Sequence, residues 1–122
     1  MLGYATLGTN DLERSRAFYD AVLAPLGGKR TIHWERSQYY GSAVKGPMLG
    51  VTAPFDGAPA SPANGAMLAL QAPSRKAVDE AHAAALALGA ACEGPPGLRT
   101  DAFYAAYFRD PDGNKLCAFR IG

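Results

Sequence analysis

The chain has 122 residues, of which 48% are hydrophobic and 19% charged, and its net charge is +1. This length suits one domain with its own core, and the apolar content excludes a disordered chain. The near-neutral charge argues against nucleic acid or an anionic membrane as a partner. The chain has no apolar run long enough to span a bilayer and no signal-peptide pattern at its start. The two distant cysteines, Cys92 and Cys117, do not indicate structural disulfides, so we expect a cytoplasmic protein.

The first half of the chain predicts one strand, one helix and three further strands. Residues 2–9 alternate in polarity, as a strand does. A helix is then expected to begin at Asn10, because a side-chain acceptor is followed three positions later by Glu13, and to end at Gly27. Three short strands follow, over residues 29–36, 37–44 and 48–53.

The second half repeats this order after a linker rich in proline and glycine, over about residues 56–64. Residues 66–71 are predicted as a strand. Ser74 is the expected N-cap of a helix that Gly89 ends. Three more strands are predicted over residues 90–93, 103–109 and 115–121. Residues 94–100 contain two prolines and two glycines, and we expect them to form a mobile loop.

The two halves can be overlaid, with Asp11 on Ser74 near the start of each helix. The sequence therefore predicts a single α+β domain over residues 1–122, made of two βαβββ modules over about residues 1–55 and 65–122. Each helix is expected to cover the outer face of its sheet, and the inner faces to enclose a central cavity for a small ligand. The expected core residues include Phe18, Val22, Val78 and Leu116.

Three segments carry a resemblance to a known family. Residues 6–19 contain the first strand, the helix start and a Phe-Tyr pair, residues 65–70 open the second module, and residues 110–114 form an Asp-Pro-Asp-Gly-Asn turn. In this order and spacing they resemble the vicinal oxygen chelate superfamily, the glyoxalase, bleomycin-resistance and extradiol-dioxygenase group. The similarity is to its small glyoxalase-like members. It implies a small-molecule ligand and a homodimer.

The resemblance also implies where a catalytic metal would bind. Family members that use a metal take a histidine from the first strand, a histidine from the fifth and a glutamate from the last. These positions are Tyr4, Met67 and Cys117 in this chain. A phenol, a thioether and a thiol match a Lewis-acidic divalent ion poorly. We therefore predict that the family metal has been lost and that no cofactor is bound; the alternative is a displaced site that uses His33 or Glu35.

Strand alternation and the family register together place a set of side chains in the cavity. The predicted pocket residues are Tyr4, Met67, Phe103, Tyr107, Cys117 and Phe119, with His33 as a further candidate. Such a pocket suits a flat or partly apolar small molecule. The alternative for the tyrosines and the methionine is packing in the core. The alternative for Cys117 is an inert buried side chain.

Other residues are weaker candidates for the ligand-binding site. One ring of the Tyr39-Tyr40 pair must face the cavity by alternation. Arg99 and Asp101 either clamp a substrate carboxylate or form a solvated loop pair. His82 lies beside the apolar stripe of the second helix, where a structural role is expected.

Two classes of function stay open. One is a glyoxalase-like protein that binds a small, partly apolar or aromatic ligand, as the drug-resistance members of the superfamily do. The other is a lyase, isomerase or dioxygenase-type enzyme acting on a small oxygenated substrate. It would use a displaced metal site or metal-free acid-base chemistry by tyrosine or His33. The sequence contains no phosphate-binding glycine loop, nucleophile elbow or Cys-x-x-Cys pair.

Overall fold

The computed structural model describes residues 1–122 and shows an α+β fold of two βαβββ modules. The first module consists of β1 (Tyr4–Gly8), α1 (Leu12–Leu23), a short 3-10 helix (Ala24–Leu26), β2 (Lys29–His33), β3 (Ser37–Gly41) and β4 (Met48–Thr52). The second consists of β5 (Leu68–Gln71), α2 (Arg75–Ala87), β6 (Cys92–Leu98), β7 (Phe103–Arg109) and β8 (Lys115–Ile121). The predicted fold class and the repeated order of elements are confirmed.

Each module forms one four-stranded mixed sheet. The strand orders are β1-β4-β3-β2 and β5-β8-β7-β6, so equivalent strands hold equivalent positions in the two sheets. The β1–β4 and β5–β8 pairs are parallel, and the remaining pairs are antiparallel. None of the helices is both long and apolar enough to cross a membrane.

The two helices begin at corresponding polar side chains. Asp11, not the predicted Asn10, is the N-cap of α1, and its carboxylate accepts a hydrogen bond from the backbone N of Arg14 at 3.1 Å. Ser74 is the N-cap of α2, as predicted, and accepts from the backbone N of Ala77 at 3.1 Å. Both caps satisfy backbone donors that the first helical turn leaves unpaired.

The hydrophobic core lies between the helices and the sheets. Phe18, Val22, Val78 and Leu116 are all 1% exposed or less, which confirms the four expected core positions. The rings of Phe18 on α1 and Phe108 on β7 lie 6.4 Å apart, so the two modules share one core. We call the sheet face toward the helices the outer face and the opposite one the inner face.

The prediction of a mobile loop over residues 94–100 is wrong for most of that range. The structure continues β6 through Pro95 and Pro96 to Leu98. Because β6 is an edge strand that pairs only with β7, a proline without an N–H costs no ladder bond on its free side. The pairing register shifts on both sides of Gly94, and these irregularities accommodate the prolines.

The turn between β7 and β8 ties the second module to the first. The hydroxyl of Tyr19 on α1 donates a hydrogen bond to Oδ2 of Asp110, with the two oxygens 2.6 Å apart. The side-chain amide of Asn114 donates to Oδ2 of Asp110 and to the carbonyl of Gly8 on β1. These polar side chains therefore join β1, α1 and the turn across the module boundary.

The same turn makes a second contact with the start of α1. Asp112 accepts hydrogen bonds from the backbone N of Asn10 at 2.9 Å and from Ser15 Oγ at 3.3 Å. It also forms a salt bridge of 3.1 Å with Arg14. The Asp-Pro-Asp-Gly-Asn turn over residues 110–114 thus has a structural role in this chain.

His82 on α2 is a titratable side chain that is only 6% exposed. Its side chain lies against the Phe108 ring, with Nε2 3.2 Å from Cys92 Sγ. Burial lowers the pKa of His82, and the charge of Asp79 opposes this only in part. The unfolded chain, in which the histidine pKa is about 6.5, therefore takes up the proton first as the pH falls.

We expect the free energy of unfolding to decrease as the pH falls below about 6.5, because the folded state keeps His82 neutral. Asp20 and Glu93, whose pKa values are lowered by Arg30 and Arg109, act only at more acidic pH. Urea unfolding at pH 7.5 and 5.5 measures the effect, and His82→Gln should reduce the difference. An equal difference in the variant would contradict this role for His82.

Candidate functional site

The second sheet carries four of the predicted pocket residues on its inner face. They are Phe103 and Tyr107 on β7 and Cys117 and Phe119 on β8. Tyr107 is the cross-strand partner of Cys117, so the phenol and the thiol are neighbours. The rings of Phe103 and Phe119 are stacked, with centroids 5.6 Å apart. This face therefore has a phenol–thiol pair and, next to it, an aromatic pair.

The first sheet adds two tyrosines to the inner face. Tyr4 and Tyr39 meet edge to face with their ring centroids 5.6 Å apart. A Cβ at Gly50, between them on β4, would lie 2.5 Å from the Tyr39 ring, so glycine provides the space for this contact. Tyr40 points to the outer face, where its hydroxyl donates a hydrogen bond to the carbonyl of Arg16 on α1. Tyr39 is thus the inward ring of the pair.

His33 does not join the other predicted pocket residues. It pairs with Gln38 across β2 and β3, and its Nδ1 lies 2.8 Å from Gln38 Oε1. Gln38 is fully buried on the outer face, where it also accepts a hydrogen bond from Arg16 on α1. Since cross-strand partners share a face, His33 lies away from the inner face. This placement corrects its inclusion among the pocket candidates.

Two cavities of about 400 and 430 Å³ lie along the seam between β1 and β5. Phe119 lines the first cavity, and Met67 and Lys115 line the second. Tyr4, Phe103, Tyr107 and Cys117 line neither cavity, and of these four only Tyr4 is well exposed. Tyr4 is 58% exposed and Met67 42%, so a ligand can reach both side chains from solvent.

The phenol and thiol at the centre of the inner face stay protonated at neutral pH. Cys117 is 1% exposed, and burial raises the pKa of its thiol, although Tyr107, Arg99 and Lys115 act against this rise. Burial and then the neighbouring Cys117 raise the pKa of Tyr107. Both groups can donate a proton, but neither supplies a base.

Arg99 does not form the solvated loop pair with Asp101 that was one of its two sequence-based alternatives. It forms no salt bridge with Asp101, and its guanidinium lies over the Tyr107 ring, with Cζ 5.3 Å from the ring centre. Lys115 lies beside the same ring, with Nζ 5.7 Å from its centre. Alternation along β8 places Lys115 on the inner face, but the approach of Arg99 depends on the irregular β6 and has no local sequence signal.

The residues at the family's metal positions do not fit a divalent ion. Tyr4 packs its ring against Tyr39, and Cys117 holds a buried thiol whose pKa is raised by burial. Met67 offers only a thioether, which is a soft and weak ligand. The structure brings no three His, Cys, Asp or Glu side chains together in a group that could hold a metal ion, at His33 or elsewhere.

Comparison with known proteins agrees with this architecture. The family model described as Glyoxalase/Bleomycin resistance protein/Dioxygenase superfamily matches residues 1–118. A glyoxalase/bleomycin resistance protein from Albidiferax ferrireducens T118 is 42% identical over 100% of this chain and 99% of its own, with a TM-score of 0.92. No curated protein matches the chain.

More distant solved structures share the fold. A glyoxalase/bleomycin resistance protein/dioxygenase family enzyme from Burkholderia phytofirmans PsJN is 20% identical, covers 98% of both chains and has a TM-score of 0.77. A glyoxalase-related enzyme from Fulvimarina pelagi is 21% identical over 98% of this chain and 87% of its own, with a TM-score of 0.76. The family match over residues 1–118 and the 42% identical relative establish that the chain belongs to the glyoxalase/bleomycin resistance protein/dioxygenase superfamily.

Proposed function

We propose that this protein binds a small, partly apolar or aromatic molecule on the inner face of its sheets, without the family metal. The observation that carries the proposal is the stacked Phe103–Phe119 pair beside Tyr107 and Cys117. Both phenylalanines are only partly buried, although each is large and apolar. An aromatic ligand would cover this surface and gain both hydrophobic and ring-stacking energy.

The enzyme alternative has less support from the site. An enzyme that works by metal-free acid-base chemistry and removes a proton from carbon needs a base in its site. The raised pKa values of Tyr107 and Cys117 keep both groups protonated. His33, the other acid-base candidate, is held by Gln38 on the outer face. A binding function therefore agrees better with the chemistry of these residues.

A ligand screen and an activity assay on the same protein separate the two classes. Thermal shift with neutral and charged aromatic compounds should reveal ligands that raise the melting temperature. The activity assay follows methylglyoxal and glutathione with and without added zinc, nickel, iron or manganese. Stabilisation without turnover is the expected result. Turnover, with or without metal, would favour the enzyme class instead.

We expect protein purified without chelators to contain no stoichiometric zinc, nickel, iron or manganese. The reason is the donor set of Tyr4, Met67 and Cys117, which these ions bind poorly. Elemental analysis of the purified protein measures the content. One equivalent of any of these metals, lost when the three residues are replaced, would overturn the expectation.

We also propose a homodimer in the cytoplasm. Strand β2 is an edge strand, and all five of its residues are exposed, which leaves backbone groups free to pair with a second copy. A reducing compartment suits the two free cysteines. Light scattering should give twice the chain mass of 12.8 kDa. A monomer at high protein concentration would contradict the dimer.

A further inference from the structure

Tyr107 has two cations beside its ring on the inner face. The Arg99 guanidinium carbon lies 5.3 Å from the ring centre, and the Lys115 ammonium lies 5.7 Å from it. Both distances fall within the range of a cation–π contact. Because the three residues belong to the β6–β7 connection, β7 and β8, the fold brings together two positive charges that are distant in sequence.

Neither cation is neutralised by a carboxylate. The four salt bridges of the structure use Arg14, Arg16, Arg30 and Arg109. The carboxylate of Glu93 forms its salt bridge with Arg109, at 2.6 Å. Lys115 only adds to the lowering of the Glu93 pKa that Arg109 causes. The inner face therefore carries two positive charges without a matching negative charge.

The Arg99 guanidinium is held in place by its own backbone neighbours. Its Nη1 donates to the carbonyl of Gly97 at 2.9 Å, and its Nη2 donates to the carbonyl of Pro95 at 2.7 Å. These bonds orient the planar group and leave its Nε–H without a protein acceptor. An oriented guanidinium loses less entropy when it binds a carboxylate.

Gly94 provides the space for this arrangement. A Cβ at this position would lie 3.0 Å from Arg99 Nη2 and 3.1 Å from Tyr107 Cδ2. Both distances are tighter than ordinary van der Waals contact, so with a side chain here the guanidinium or the ring would have to shift by a few tenths of an ångström. Glycine at this position of the irregular edge strand therefore allows the close approach of Arg99 to the Tyr107 ring.

We propose that Arg99 and Lys115 bind the carboxylate of a small aromatic acid whose ring lies on the Phe103–Phe119 pair. The inference rests on the proposed function and names the class of ligand. Both cations reach the Tyr107 ring, and the cross-strand partner of Tyr107 is Cys117, two positions from Lys115 on β8. Phe119 follows Cys117 by two further positions, so the strand positions of the Tyr107–Cys117 pair and Phe119 are roughly 7 Å apart. This separation matches one aromatic ring with a carboxylate on a short side chain.

The test compares phenylacetate with phenylacetamide, which has the same ring and a neutral head group. Titrations followed by ligand-observed NMR should show phenylacetate binding about five- to tenfold more tightly. Raising the salt concentration should weaken binding of the acid and leave the amide unchanged. The Arg99→Gln, Lys115→Met double variant should bind the two compounds equally, with an unchanged circular dichroism spectrum.

Arg75→Gln is the matched control. Arg75 also lies 5.3 Å from the centre of a tyrosine ring, that of Tyr104, but on the outer face. This variant should keep the full preference for the acid. Loss of the preference in Arg75→Gln would overturn the assignment to Arg99 and Lys115.

Two further outcomes separate this inference from the proposed function. If neutral aromatic compounds bind as tightly as the acids, the carboxylate subsite is wrong and the aromatic binding function stands. If no aromatic compound of any charge binds, both are wrong. The wild-type protein and both variants are compared under the same buffer conditions in every titration.

Discussion

Replacing Asp110 with alanine is expected to lower the free energy of unfolding by roughly 3–5 kcal/mol, because four hydrogen bonds to a buried carboxylate are lost. Asp110 is 4% exposed, and its Oδ1 accepts from the backbone N of Asp112 and of Asn114, both at 2.9 Å. Its Oδ2 accepts from Tyr19 and from the Asn114 amide. Chemical denaturation of wild type and variant measures the difference.

Two variants show whether the loss comes from this network. Tyr19→Phe removes one donor and keeps the ring, so it should cost about 1–3 kcal/mol. Asp101→Ala removes an exposed carboxylate that forms no salt bridge, and it should change stability by about 0.5 kcal/mol or less. If Asp110→Ala costs no more than Asp101→Ala, the turn does not hold the modules together.

The composition of this turn is visible in the sequence, but its role is not. Asp110 and Asn114 belong to a pattern that predicts a local turn between two strands. Their partners Tyr19 and Gly8 lie 91 and 106 residues away in the chain. Contacts of that separation depend on how the modules dock, which local periodicity does not encode.

The elements themselves could be predicted because their signals are local. Apolar residues at helical spacing placed Phe18 and Val22 in the core, and alternation placed Leu116 there. Strand β6 was predicted to end at residue 93, short of its observed end at Leu98, because Pro95 and Pro96 normally indicate a loop. Its edge position, which allows these prolines, is a property of the whole sheet.

The face on which a candidate side chain lies could be predicted where the family register fixed the strand alternation. The turn before β8 and the pairing with β7 place Cys117 and Tyr107 on one face, and both were assigned to it. His33 was misplaced because its face depends on pairing with Gln38 across a register shift in β2. Arg99 lies outside any strand, so alternation says nothing about its contact with Tyr107.

Tyr107→Phe should leave the stability almost unchanged, because it keeps the half-buried ring and removes one hydroxyl. It should weaken binding of a ligand found in the screen by about 1 kcal/mol, or roughly fivefold, which is the usual contribution of one hydrogen bond. Titration of the folded variant measures this loss. The variant is also the control for a change at the adjacent strand, where the opposite pattern is expected.

Leu116→Ala should cost roughly 2–5 kcal/mol of stability, because it opens a cavity in the core. Leu116 is fully buried on the outer face, opposite its partner Phe108, whereas its neighbour Cys117 points to the inner face. Ligand affinity of the folded variant should therefore stay close to wild type. If Tyr107→Phe unfolds the protein while Leu116→Ala loses only binding, the ligand lies on the outer face. The inner-face site would then be wrong.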